Sequence, residues 1–454
     1  MTKVTVVMTI AGSDSGGGAG IEADIKTFSA LGAHGTCAIT SVTSQNTMGV
    51  LSAFDLPEEV IRNQIDAVCS DMHIEWAKSG MLSSPGITST VAEMVSKYGI
   101  KLVVDPVMAA EAGGALLRKE AIATLKEDLL PLSYVVTPNI SEAVELSGMK
   151  ITNIEEAKNA ARAIAGTGVK AVIVTGGHLD ASDVVYESET QEFTVIPGNF
   201  VRGGTHGSGC TYSASLTCFL AQGMSLPEAA RNAKEFIIRA IQGSKTVGKG
   251  VGPVNPLAGM LSDSGRYAVL EDLKEAARII SSSDSFGYLI PEVGSNIAMA
   301  IPDAKDKADV AAVEGRIVRL RGLPEVVGNI DFGASSHVAR IILAAMNYDS
   351  RIRAAVNVRY SEGIIEICRQ MDLSTSSFDR KDEPEKAQTM DWGTCNAIER
   401  HGSVPDIIYD KGGPGKEPMI RVLGKNARNV TSIAISISER YKKIQTEHAI
   451  PADN

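Results

Sequence analysis

The sequence predicts two consecutive α/β domains, the first built on a mostly parallel sheet with helices on both faces. Three observations carry this reading. Short β-branched runs alternate with amphipathic segments over residues 1–260. Each run ends in Gly, Pro, Asp or Asn, as strands feeding a ligand-bearing edge often do. The alternation then breaks at a Gly- and Pro-rich stretch, after which a new amphipathic helix begins. At 454 residues the chain is also long for one domain.

The elements follow in order. "VTVVMTIAG" reads as the first strand, and a glycine-rich loop carries it into the helix "IEADIKTFSALG". "LPEEVIRNQIDAVCSDM" reads as a second helix, and "KLVVDPV", "SYVVTPN" and "KAVIVTGG" as further strands. Strand, helix and strand repeated in this way make a parallel sheet, whose ligands bind beyond the carboxyl ends of the strands. "VGKGVGPVNPLAGMLSDSG" has no periodicity and reads as a linker. The helix "YAVLEDLKEAARIISSS" then opens the second domain. That domain mixes the helix "SHVARIILAAMNYD" with strands in "IRAAVNVRYSEGIIEICRQ" and "DIIYDKG".

Charge and composition exclude several classes. The net charge of -10 argues against a nucleic-acid binder, which needs a basic surface. Residues 1–265 hold 19 basic and 27 acidic side chains (-8), and residues 266–454 hold 25 and 27 (-2). Arginine makes much of the difference, with 6 in the first part and 15 in the second. Arginine forks suit phosphate, although surface ion pairs explain most of them as well. The six cysteines form no CxxC pair, which fits a reducing compartment rather than a zinc or disulfide framework. The apolar N-terminal run is short and reads as a strand, not a signal peptide. No run approaches the ~20 residues of a membrane span, so the expected location is cytoplasmic.

The chemistry gathers at glycine-rich turns. In "GTHGSGC" (204–210) the glycines let successive N–H groups converge in front of a helix, forming an anion hole for a phosphoryl group. A tight strand-to-helix connection has the same look, so this turn alone decides nothing. "AGSDSGGGAGIEADIKT" is a second such loop, leading into a helix that bears Asp24. It is neither a P-loop nor a dinucleotide fingerprint. "VVDPVM" places Asp105 at a strand end, and "TPNISEAVEL" places Asn139 and Glu142 at another. Such acids suit a hydrated magnesium ion, but singly they are more often caps or turn formers.

Seven stretches, "AGSDSGGGAGIEADIKTFSALGAHG", "SVTSQNT", "VVDPVM", "TPNISEA", "GGHL", "THGSGCTYSA" and "GVGPVNPL", together resemble the hydroxymethylpyrimidine/phosphomethylpyrimidine kinases of thiamine biosynthesis. These are ribokinase-like enzymes. The likeness spans about residues 3–258 in order and assigns residues 1–260 to a three-layer kinase domain. It implies ATP and Mg2+ as cofactors, hydroxymethylpyrimidine and its phosphate as substrates, and a homodimer. Many ribokinase-like sugar kinases carry an Asp as base after the anion-hole glycines. The pyrimidine kinases carry a cysteine there, here Cys210, whose thiolate at a helix N-terminus is expected to have a lowered pKa. The resemblance further implies that Gln45 and Asp24 bind the pyrimidine edge, with Gly12 and Val107 beside it. Thr205, Gly207, Ser208 and Gly209 would surround the phosphate, Asn139 would position it, and Asp105 and Glu142 would serve the metal. Two positions depart from the pattern: Thr175 stands where Lys is usual, and Glu111 where a basic residue is usual. Lost positive charge at either is expected to weaken nucleotide binding or one phosphorylation.

In the second part, "VAAVEGRIVRLRG", "GNIDFGASSHVARIILAAMNYD", "RAAVNVRYSEGI" and "DWGTCNAIERHGSVPDIIYDKGGPGKEPMIRVLG" resemble the archaeal-type thiamine-phosphate synthase domain, assigned here to residues 266–450. The resemblance implies condensation of the pyrimidine pyrophosphate with thiazole phosphate, releasing pyrophosphate. Such a leaving group asks for cations and oriented donors. On the family pattern these are Arg316, in "EGRI", and His337, in "GASSHVAR". Read as a strand, Arg319 and Arg321 share the face opposite Arg316. Ser335 or Ser336 would cap the following helix. "YDKGGPGKEP" suits a phosphate lid or an ordinary loop equally. The alternative reading makes this domain a thiamine-phosphate sensor that feeds back on the kinase. Retention of Arg316 and His337 favours catalysis.

Overall fold

The computed structural model describes residues 4–109, 119–177, 179–384 and 389–449. It divides into two compact units, Met1–Met260 and Leu261–Asn454.

The first unit is a nine-stranded sheet between two helical layers. Its strands are β1 (Val6–Asp14), β2 (His34–Asn46), β3 (Gly49–Asp55), β4 (Trp76–Ser79), β5 (Lys101–Val104), β6 (Val135–Val136), β7 (Ala171–Val174), β8 (Asp183–Glu187) and β9 (Glu192–Ile196). They lie in the order β3-β2-β1-β4-β5-β6-β7-β8-β9. The six strands from β2 to β7 in that order run parallel, while β3, β8 and β9 pair antiparallel at the two edges. The pleat explains the three layers. Along β5, Leu102 and Val104 enter the core on one face and Val103 the core on the other. Helices such as Pro85–Tyr98 and Ile154–Ala165 cover the first face; Gly20–Ala30, Ser208–Ala221 and Leu226–Gln242 cover the second. β1, β5, β6 and β7 all end on the same edge, which sets their outgoing loops side by side.

The second unit is a mostly antiparallel sheet with one parallel pair. Its strands are β10 (Ile297–Ala300), β11 (Val310–Val313), β12 (Arg316–Leu320), β13 (Leu323–Val327), β14 (Ile330–Phe332), β15 (Ala354–Arg359), β16 (Thr375–Ser377), β17 (Ile407–Asp410) and β18 (Met419–Gly424). Seven form a sheet ordered β14-β11-β10-β15-β18-β17-β16, and β12 and β13 make a separate hairpin. Ile297, Val356, Ile420 and Val422 pack toward helices Ala258–Ser281 and Ala427–Ala449. Ala298, Ala355, Ile408 and Leu423 pack toward helices Ser336–Met346 and Thr389–His401.

Three local expectations are corrected. The helix after the linker starts at Ala258, inside the stretch read as unstructured. In "IRAAVNVRYSEGIIEICRQ" only Ala354–Arg359 is strand, and Glu362–Gln370 is a helix. Ser361 caps it by accepting from the Ile364 N–H, and Ile364, Ile365 and Cys368 form one buried face at helical spacing. Arg321 is not on a strand; it turns the β12–β13 hairpin with φ +52°, followed by Gly322 at +86°.

Candidate functional sites

A cavity of about 560 Å³ opens at the carboxyl edge of the first sheet. Its wall contains Gly12, Gln45, Val107, Asp105, Asn139, Glu142 and the run Thr205–Cys210. These residues come from chain segments up to about two hundred positions apart, and the strand ends bring them together. The turn at 204–210 leads directly into helix Ser208–Ala221. Gly207 is its N-cap at φ +80°, and a Cβ there would lie 1.8 Å from the Gly18 carbonyl oxygen. The two glycine loops therefore press backbone against backbone, which only glycine permits.

Asp24 is the exception. It does not line the cavity but lies fully buried beneath it, its carboxylate held by Lys78 Nζ at 3.0 and 3.1 Å and by Thr9 Oγ1 at 2.6 Å. A side chain so engaged has no reach to a pyrimidine, and the assignment of Asp24 to the substrate edge is corrected. Burial pushes its carboxyl up to about 6, against the pull of Lys78, which leaves it ionised opposite the ammonium at neutral pH.

Cys210 sits half-buried in the first turn of the helix. Its lowered pKa is also corrected. Burial pushes the thiol up to about 12; Lys78 pulls the other way, while Asp105 and Asp24 add to the rise. Lys78 and a backbone hydrogen bond at Gly20 do not offset desolvation and two carboxylates.

Asp105 and Glu142 face the same cavity. Burial raises Asp105, with Lys78 and the Ser213 hydroxyl at 3.0 Å opposing. Burial first, and then Asp105, push Glu142 up to about 8. Glu142 also closes a capping box: it accepts from the Asn139 N–H at 2.9 Å and returns its own N–H to Asn139 Oδ1 at 3.0 Å. No group of three or more His, Cys, Asp or Glu is placed to hold a metal ion among the described residues. Two mutually repelling carboxylates fit a magnesium ion that takes its remaining oxygens from phosphates and water.

Thr175 lines the cavity too, its N–H donating to the Pro138 carbonyl at 2.9 Å. Glu111 lies outside the described residues. Among the described residues of this wall, Lys234 supplies a cation, paired with Asp183 at 2.8 Å.

Sequence reading passed over Asp14, Lys78 and His206. Asp14 accepts the N–H groups of Gly16 (2.7 Å), Gly18 (3.0 Å) and Ala19 (2.9 Å), and His206 Nε2 lies 3.0 Å away. Burial acts to raise its carboxyl, but these bonds prevail and hold it below its usual value. Its place beside a glycine run is the one signal the sequence offers, since an Asx turn commonly organises such loops.

In the second unit, Arg316 lies within electrostatic reach of His337. His337 opens helix Ser336–Met346, and Arg316 opens β12. Arg340, Arg380 and Arg421 complete a cationic cluster around the imidazole. Burial, followed by these arginines with Arg421 foremost, pushes His337 down to about 4, so it is neutral at physiological pH. Asp410 is the anion of the cluster. It accepts from Arg380 Nε at 2.6 Å and from Arg421 Nη2 at 2.8 Å, and both Asp410 and Arg421 are buried. Ser335 is the N-cap but makes no side-chain capping bond. Both lysines of "YDKGGPGKEP" lie near acids, Lys411 2.9 Å from Glu362 and Lys416 3.9 Å from Glu383. A neutral imidazole among four guanidinium groups can bind a highly charged anion and donate to it.

Comparison with known proteins gives the following. The family described as phosphomethylpyrimidine kinase matches residues 14–255, and that described as thiamine-phosphate synthase ThiN matches residues 272–436. A bifunctional thiamine biosynthesis protein, ThiDN, of Methanocaldococcus jannaschii is 38% identical over 440 residues, covering 97% of this chain and 100% of its own length. The hydroxymethylpyrimidine/phosphomethylpyrimidine kinase of Bacillus subtilis is 43% identical over 257 residues, which is 55% of this chain and 94% of that protein. Among solved structures, an ADP complex of Bacillus subtilis pyridoxal kinase is 36% identical, with a TM-score of 0.53, covering 57% of this chain and 100% of that one.

Proposed function

The chain belongs to the bifunctional thiamine-biosynthesis family that joins a phosphomethylpyrimidine kinase to a ThiN-type thiamine-phosphate synthase, and we propose that its two sites divide that work. The first activity phosphorylates hydroxymethylpyrimidine and then its monophosphate at the expense of ATP. The second condenses the pyrimidine pyrophosphate with thiazole phosphate and releases pyrophosphate. We assign the kinase to residues 1–260 and the synthase to residues 266–450.

One observation supports the kinase assignment above the rest: Gln45, Asn139, Glu142, Gly207–Gly209 and Cys210 share one cavity wall. Gln45 reads the pyrimidine edge, with Gly12 and Val107 beside the ring. The N–H groups of the turn at 205–209 and the dipole of the following helix receive the transferred phosphoryl group. Asn139 steadies the nucleotide phosphates. Cys210 takes the proton of the substrate hydroxyl; burial holds its thiol high in the free protein, and Lys78 is the buried cation that partly offsets the cost of its thiolate. Asp105 and Glu142 would hold magnesium, which when bound neutralises charge on the phosphates. A Cys210→Ala variant is expected to lose about 100-fold or more in kinase rate, the usual contribution of a general base, with synthase activity intact. Loss of less than tenfold removes Cys210 from that role.

In the second unit Arg316, Arg340, Arg380 and Arg421 bind the diphosphate, and His337, kept neutral, donates to the departing pyrophosphate oxygen. The sensor reading of this domain is not favoured, because the relative matched along the whole chain is itself described as bifunctional.

Substrates are small molecules, and no helix among the described residues is long and apolar enough to cross a membrane. We place the protein in the cytoplasm, in keeping with six unpaired cysteines. We also propose a homodimer. The free edge strand β3 supports it by exposing Leu51 and Phe54.

A further inference from the structure

His206 stands within the turn assigned to receive the phosphoryl group, and its side chain reaches Asp14 and Gln45. It is buried, with Nε2 3.0 Å from Asp14 Oδ2 and 3.4 Å from Gln45 Nε2. Its backbone is pinned on both sides. Its N–H donates to Gly252 O at 3.2 Å, and its carbonyl accepts from the Val254 N–H at 3.0 Å. The ring also fills the space over Gly18, where a Cβ would lie 2.3 Å from His206 Cδ2. One residue of the turn before helix Ser208–Ala221 thus ties together the glycine loop after β1, through its side chain, and the segment at 252–254, through its backbone.

Hydrogen-bond capacity decides what this does to Gln45. Asp14 is an acceptor already bound by three backbone N–H groups. Its contact with His206 is a bond only if Nε2 carries the proton. The single hydroxyl proton of Thr43 is taken in turn by the Ser13 carbonyl at 2.9 Å, while Thr43 Oγ1 lies 3.3 Å from Gln45 Oε1. The Nε2–H of His206, directed at Asp14 and shared with Gln45 as the longer arm of a three-centre bond, therefore lies at one end of the Gln45 amide, and an acceptor, Thr43 Oγ1, at the other. An amide nitrogen facing His206 sets two donors against each other, and a half-turn of the amide removes that conflict at both ends. The amide then keeps one N–H and one oxygen lone pair for a ligand.

We propose that Asp14 and His206 are a positioning pair that fixes the sense of the Gln45 amide, and with it which way round an aminopyrimidine ring binds. The proposal rests on the reading of Gln45 as the group that recognises the pyrimidine. An aminopyrimidine edge offers an amino donor beside a ring-nitrogen acceptor, which pairs with an amide in one sense only. Turning the amide over requires turning the ring over. The hydroxymethyl group sits on the carbon next to the amino-bearing carbon, so the turned ring carries its hydroxyl away from Gly207–Gly209. Neither Asp14 nor His206 touches the reacting hydroxyl; both act through Gln45.

The test is steady-state kinetics of the full chain with hydroxymethylpyrimidine and with its analogue lacking the amino group, for wild type, His206→Asn, Asp14→Asn and Gln45→Ala. Wild type is expected to prefer the natural substrate by about 100-fold or more in kcat/KM, as sites built to bond a donor do. That preference is expected to fall below about tenfold in His206→Asn and in Asp14→Asn, with KM for ATP within about twofold of wild type. A merely structural role would lower activity toward both pyrimidines alike. Full preference retained in both the His206 and Asp14 variants overturns the pair's role. Full preference retained in Gln45→Ala overturns the reading of Gln45 itself and the inference with it. Asp14→Asn keeps the question answerable if the histidine variant does not fold.

Discussion

At the scale of single residues, the environment overrides the group's ordinary chemistry three times. A cysteine at a helix N-terminus is not acidified, because burial, with two carboxylates, outweighs the pull of Lys78. An aspartate on the helix after a phosphate-type loop serves a buried lysine rather than a ligand. A histidine is held neutral by burial first and then by four arginines. The last has a measurable consequence. With His337 at about 4 in the folded protein against 6.5 ordinarily, the unfolded chain binds its proton more readily. Its contribution to stability is therefore full above pH 6.5 and declines as pH falls toward 4. Titration of the His337 Cε1 proton by NMR is expected to show a midpoint well below 6.5, moving upward when pyrophosphate brings negative charge among the arginines. A midpoint at 6.5 or above would remove the cluster from around the ring. Cys210, Gln45 and Gly207–Gly209 were legible because each stands inside a contiguous motif. Lys78 and Asp24 are 54 positions apart, and Arg421 and Asp410 belong to different strands, so no local pattern joins them.

At the scale of elements, periodicity located β1, β5, β6 and β7, whose β-branched runs are buried on both faces. It failed where two signals abut. After β15 the strand pattern passes into a helix within two residues, and only the Ser361 cap marks the change. The linker's glycines concealed the first turns of helix Ala258–Ser281, whose start has no strongly apolar face. Among the described residues β3 pairs with β2 alone and no strand covers its outer edge. Leu51 is 78% and Phe54 66% exposed on that strand, an arrangement that isolated chains usually avoid. Light scattering is expected to give twice the 47.9 kDa chain mass for the wild type and a single chain mass for Leu51→Glu/Phe54→Glu. A monomeric wild type would contradict the homodimer.

At the scale of the whole molecule, the fold class followed from alternation and strand ends, because a parallel sheet imposes its repeat on the sequence. The mostly antiparallel second sheet left a weaker trace, since its strands are short and joined irregularly. Two sites of different charge follow from the two folds: a mixed cavity with paired acids in the first unit, an arginine-rich cluster in the second. Product of the first reaction is substrate of the second, which gives the fusion its chemical sense. The most direct measurement is an endpoint reaction of the full chain with hydroxymethylpyrimidine, thiazole phosphate, ATP and magnesium, read by mass spectrometry. Thiamine phosphate among the products is the predicted result. Accumulation of pyrimidine pyrophosphate without thiamine phosphate would contradict catalysis by the second unit and turn its arginine cluster into a sensor.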